Sequence, residues 1–191
     1  MVNNNICEAA IKRIIPVFRV LLELYKEAKN TNDENFKKWV YNSLERVCHL
    51  ECFVTPYRVS KRAEQKAKER YESEISKIND ISKCTWEQQI QKTQMNDNYP
   101  KKRAIFHLEH VYPISKMISD LEGIAGEMNG TISDEEYNEK ILNLLKKFDM
   151  AWILKEERVK LDTKYKTDRP HPLRTAFDDD EVDIKMVDDW N

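Results

Sequence analysis

Phe106-His107-Leu108-Glu109-His110-Val111-Tyr112-Pro113 is the stretch on which the fold turns. Apolar Phe106 and Leu108 alternate with polar His107 and Glu109, the period-2 pattern of a half-buried strand. Side chains alternate along a strand, so His107 and Glu109 face one way and His110 the other, unless the backbone bends as it leaves the ladder. Pro113 marks that departure, because proline cannot continue a central ladder. A second apolar run, Met150-Ala151-Trp152-Ile153-Leu154, leads at once into Lys155-Glu156-Glu157-Arg158-Val159-Lys160-Leu161-Asp162, whose composition favours helix. The order strand, excursion, strand, helix follows from these runs alone.

The excursion holds the three glycines of the chain, Gly123, Gly126 and Gly130, and then Ser133-x-x-Glu136, which caps a helix running to about Phe148. Upstream, Ile11, Ile14, Ile15, Phe18, Leu21, Leu22 and Tyr25 recur at helical spacing, with Pro16 expected to kink or interrupt the run. Thr31-x-x-Glu34 reads as a capping box for a second helix, whose stripe is Phe36, Trp39, Val40, Leu44, Val47 and Cys48. Residues 6 to 52 are therefore expected to form a helical hairpin. From Arg58 to Arg70 six bases stand against Glu64 and Glu69, the composition of a solvated helix whose alternative use is a phosphate-facing strip. Asn96 to Pro100 reads as a loop, and Lys101-Lys102-Arg103 leads from it into the first strand.

At 191 residues the chain can bury one core, with or without a helical extension. Charged residues make up 35% and apolar ones 40%, with few glycines and prolines, which points to a helix-rich globular chain and away from disorder or an all-β architecture. The net charge of −2 hides an asymmetry: residues 178 to 191 carry seven acids against Lys185, so they sum to −6 and the rest of the chain to +4. A mildly basic body is compatible with phosphate binding, and the acidic tail reads as a solvated end. The cysteines at 7, 48, 52 and 84 form no CxxC pair, and no signal peptide or membrane-length apolar run is present, so a cytoplasmic chain with reduced thiols and no membrane partner is expected. Cys48, His49, Cys52 and Cys84 could build a zinc-stabilised module, but thiols packed as small apolar groups are the better expectation.

Hydrolysis of a phosphodiester needs an activated water, neutralisation of charge on a non-bridging oxygen, and help for the leaving oxygen. One hard cation on oxygen ligands can serve the last two, and an uncoordinated imidazole near its own pKa takes the proton. A Glu-His pair at a strand end offers both. Leu108-Glu109-His110-Val111-Tyr112-Pro113-Ile114-Ser115 resembles the opening strand of the HNH and related ββα-metal (His-metal-finger) nucleases. Trp152-Ile153-Leu154-Lys155-Glu156-Glu157-Arg158-Val159-Lys160-Leu161 is similar to the second strand and helix of the same finger, and together the two cover about residues 105 to 165. The resemblance implies His110 as general base and Glu109 as ligand to Mg²⁺ or Mn²⁺. It also implies a second ligand from the helix, usually Asn, His or Asp, where this chain has Arg158, a group that cannot ligate a cation. Glu157 is the expected replacement, with Glu156 and Asp162 as alternatives, and His107 is expected to be a half-buried partner orienting Glu109.

Lys101, Lys102 and Arg103 before the finger, and Lys155, Arg158, Lys160 and Arg169 on and after its helix, are the expected phosphate contacts, which give affinity without sequence information. The partner so implied is nucleic acid, DNA before RNA, and the helical half supplies substrate grip, homodimer contacts, or both. The expected architecture is mainly α (α+β): a helical region over 1–98, a ββα-metal finger with a helical insertion between its strands over 99–177, and an acidic tail over 178–191. The expected activity is that of a metal-dependent endonuclease. The alternative is a catalytically degenerate finger that binds nucleic acid or inhibits a nucleic-acid enzyme.

Overall fold

The computed structural model describes residues 7–54, 58–72, 105–127, 133–166, 169–170 and 173–187. Among them the chain is mainly helical, with one small three-stranded mixed sheet. The elements are α1 (Glu8–Lys29), α2 (Glu34–Val47), β1 (Arg58–Val59), α3 (Lys61–Glu72), β2 (Phe106–His110), α4 (Ile114–Gly126), α5 (Asp134–Leu145), β3 (Met150–Leu154), α6 (Lys155–Tyr165) and α7 (Arg174–Phe177). No helix among the described residues is long and apolar enough to cross a membrane.

Two compact units result. One gathers Met1–Asn5, Val54–Tyr112 and Asp149–Asn191; the other gathers Ile6–Phe53 and Pro113–Phe148. The hairpin and the excursion between the strands thus share a core, because each presents a single apolar stripe that needs a partner.

In that helical unit α1 buries Ile11, Ile15, Phe18 and Leu22, one stripe at 3.6-residue spacing, against α2, α4 and α5. Helix α4 contributes Met117, Ile118, Leu121 and Ala125, and α5 contributes Tyr137, Ile141 and Leu145. Pro16 does not interrupt α1, contrary to expectation. It lies on the exposed side of the helix, away from the buried stripe that packs the helix into the core. The cap of α2 is Asp33, whose carboxylate accepts from the Asn35 and Phe36 N–H groups, while Thr31 accepts from the Asp33 N–H one step earlier. Ser133 caps α5 as expected, accepting from the Glu136 N–H at 3.2 Å. Trp39, placed on the buried stripe of α2 by its spacing, is 56% exposed.

The sheet lies in the other unit, with strand order β1-β3-β2. β3 is central and all five of its residues are buried, which accounts for its unbroken apolar run. β2 pairs with it antiparallel, setting Phe106 opposite Leu154, His107 opposite Ile153, Glu109 opposite Ala151 and His110 opposite Met150. β1 pairs parallel on the other edge, Arg58 with Ala151 and Val59 with Trp152, so Arg58 belongs to a strand and not to the charged helix that follows. One core cluster joins Ala151 and Ile153 to Leu161 of α6, to Ala176 and Phe177 of α7, and to Val182 and Ile184. The acidic tail is therefore not a solvated end over its described part. Its apolar residues alternate with the acids and enter the core, and Met186 forms an antiparallel bridge with Ser60.

Candidate metal and nucleic-acid site

The register assigns faces to the strand residues. Ala151 and Ile153 point into the cluster beneath α6, so their cross-strand partners Glu109 and His107 stand on that same face, and the pleat turns His110 to the other. His110 is the last residue of β2 and is partly exposed.

Glu109 is 4% exposed. One oxygen of its carboxylate pairs with the guanidinium of Arg169, and the other lies 3.2 Å from His107 Nε2. The Arg169 guanidinium also reaches Asp162 Oδ1 on α6, and Asp162 Oδ2 lies 3.2 Å from Arg158 Nε. A strand carboxylate and a helix carboxylate thus meet on one cation, which in this structure is the side chain of Arg169. Burial holds the His107 imidazole down to about 3, reinforced by the charges of Arg158, Arg169 and His110 and opposed by Asp162. His107 is consequently neutral at physiological pH and donates one N–H to Glu109, the orienting contact expected of it. Burial also lowers the pKa of Arg169, but not far enough for a guanidinium to lose its charge.

Glu157, the expected second ligand, lies elsewhere. It is 1% exposed, and its Oε2 accepts from the Leu154 N–H and from the Ser60 hydroxyl, each at 2.7 Å. Ser60 follows β1, on the far edge of β3 from β2, so Glu157 and Glu109 are held on opposite flanks of the central strand. Glu156 is exposed and pairs with Arg62 of α3. Of the three acids considered for the helix ligand, Asp162 is the one brought to Glu109.

Among the expected phosphate contacts, Lys155 and Lys160 are exposed on α6, with Lys160 Nζ donating to the Val182 carbonyl at 3.2 Å, and Arg158 is half-exposed. Arg169 is only 13% exposed and is engaged by carboxylates. Lys101, Lys102 and Arg103 lie outside the described residues, as does Cys84. Burial pushes the Cys48 thiol up to about 12, and Cys52 is exposed. The bridging position of Arg169 and the tie between Ser60 and Glu157 escape a reading of the sequence. The only signal for the former is an arginine fixed ahead of a proline, just past the helix that carries Asp162.

Compared with known proteins, the chain matches no family model, no curated protein and no solved structure.

Proposed function

We propose that the chain is a metal-dependent endonuclease of the ββα-metal type, acting on DNA, with Mg²⁺ or Mn²⁺ held by Glu109 and Asp162. The observation that supports this reading is the convergence of those two carboxylates on a single positive group, Arg169. Hard oxygen donors from the end of β2 and from α6 suit a hard divalent ion. An ion bound there supplies charge neutralisation at a phosphate oxygen and at the leaving oxygen.

The residues around it have separable tasks. His107, titrating far below neutrality, is a poor base and serves to aim Glu109. His110, partly exposed as the last residue of β2 and turned to the opposite face from Glu109, is the residue the family resemblance implies as the base that takes the proton from water. Without ion or substrate, Glu109, Asp162, Arg158 and Arg169 sum to zero charge. A dication added alone would leave two guanidinium groups facing it, whereas a phosphodiester arriving with the ion gives them an anion to hold. Ion and nucleic acid are therefore expected to bind together.

A second reading is supported by the same arginines. Arg158 stands where the family resemblance calls for a ligand, and Arg169 already satisfies both carboxylates, which suits a finger that binds nucleic acid without cutting it. A supercoiled-plasmid nicking assay with Mg²⁺, Mn²⁺ or EDTA separates the two. The endonuclease predicts metal-dependent nicking, reduced about 10²- to 10⁴-fold in His110→Ala by loss of the general base, and lost in Asp162→Asn. Intact plasmid under every ion, with plasmid still retained by the protein, establishes the non-cutting reading instead.

A further inference from the structure

The sheet-containing unit carries a groove of about 660 Å³ between α3 and the first turn of α6. Its rim is Lys61, Arg62, Gln65 and Lys66 of α3, spaced so as to share one side of that helix, with Lys155 facing them from α6. Its apolar floor is Leu154 and Ile105. Two acids also line it, and each is already paired: Glu69 with Lys66 at 3.0 Å and Glu156 with Arg62. Among the described residues no carboxylate pairs with Lys61 or Lys155, and both are exposed. They are the first residues of α3 and α6.

We propose that this groove seats the phosphate backbone of a nucleic-acid strand and leads it toward the Glu109/Asp162 site. The inference rests on the nucleic-acid reading above and extends it from Lys155 of the finger to α3. Charge complementarity carries it: four cations face two acids that are already neutralised in pairs, so a polyanion meets a net positive channel with two ammonium groups still to be matched. Continuity carries it further. Lys155, Arg158 and Asp162 lie at i, i+3 and i+7 of α6, one side of a single helix, so a strand running along that side passes from the groove to the carboxylate pair. An isolated phosphate would leave most of the volume unfilled.

The test is equilibrium binding of the full chain to a fluorescent DNA of about 20 nucleotides, single- and double-stranded, in EDTA and over a range of salt. The double variant Lys61→Glu/Lys155→Glu is compared with Lys38→Glu/Arg46→Glu, the same charge change on exposed positions of α2. The groove predicts at least about tenfold weaker binding in the first variant. It also predicts that the slope of log affinity against log salt becomes shallower by about 1.4 for single strands or about 1.8 for duplex, because two fewer phosphates are neutralised. The α2 variant is expected to keep the wild-type slope. Equal losses in both variants, an unchanged groove variant, or groove-dependent binding of polyglutamate tighter than DNA would overturn the assignment while leaving the nucleic-acid reading intact. A wild-type chain that binds neither DNA overturns both.

Discussion

Glu109 sits on the covered face of its strand, and a carboxylate placed there needs positive charge or donors at both oxygens. It has both, a guanidinium on one side and an imidazole N–H on the other. The imidazole makes the arrangement pH-sensitive. His107 titrates near 3 in the native chain and near 6.5 when unfolded, so between those values the unfolded chain binds a proton that the native one refuses. Stability is therefore full above about pH 6.5 and falls as the pH drops toward 3, by at most about 1.4 kcal/mol per pH unit from this group. Thermal unfolding from pH 7 to pH 4 should show a shallower acid slope in His107→Gln than in the wild type; equal slopes would remove His107 as the cause. The contact between His107 and Glu109 is legible in the sequence because residues two apart on a strand share a face. Arg169 is not, because a cation looks the same in sequence whether it awaits a phosphate or is engaged by carboxylates brought from 60 residues upstream and one helix away.

At the scale of elements, α6 begins on a buried acid. Glu157 satisfies the Leu154 N–H at the strand-to-helix corner and ties it to Ser60, whose hydroxyl in turn accepts from the Ala63 N–H at the start of α3. One carboxylate thus fixes the N-terminal ends of two helices to the sheet. Glu157→Ala leaves the Leu154 N–H and the Ser60 hydroxyl buried without an acceptor, at about 1 to 3 kcal/mol each. Urea denaturation should show a combined loss of about 2 to 6 kcal/mol, with most of the Ser60 share absent when Ser60→Ala is combined with it. A variant as stable as the wild type would make Glu157 a candidate ion ligand again. The run from Lys155 to Leu161 is readable as helix from composition, but not which of its acids turns inward. That is decided by β1, a two-residue strand too short to show a period and defined only by its pairing with Ala151 and Trp152. Asp33 escapes the sequence for a different reason. Thr31 offers the better-known motif with Glu34, yet the carboxylate two residues later accepts from two N–H groups at once.

For the whole molecule, the division into units follows burial and not chain order. The excursion between β2 and β3 reads as an insertion into a finger, and its helices share a core with the hairpin instead. Amphipathic periodicity shows that each helix needs a partner and is silent on which one, since any apolar stripe complements any other. Composition misleads most in the tail. Counting acids over 178 to 191 hides Val182 and Ile184, which are almost fully covered and complete the cluster beneath the sheet. Ile184→Ala should cost about 2 to 5 kcal/mol in chemical denaturation, as for a core position, where a solvated tail would register almost nothing.

That closure by Ile184 bears on how the chain is made. The strand pair β1 and β3 joins residues some 90 positions apart, and the cluster against it is sealed only by residues beyond 180. On a translating ribosome, the sheet-bearing half must wait with its apolar faces uncovered until Val182 and Ile184 have emerged. The helical half has every segment it needs by Phe148 and can settle earlier. Stalled or incomplete translation products are thus expected to present one finished body and one adhesive one, which makes them natural clients for chaperones.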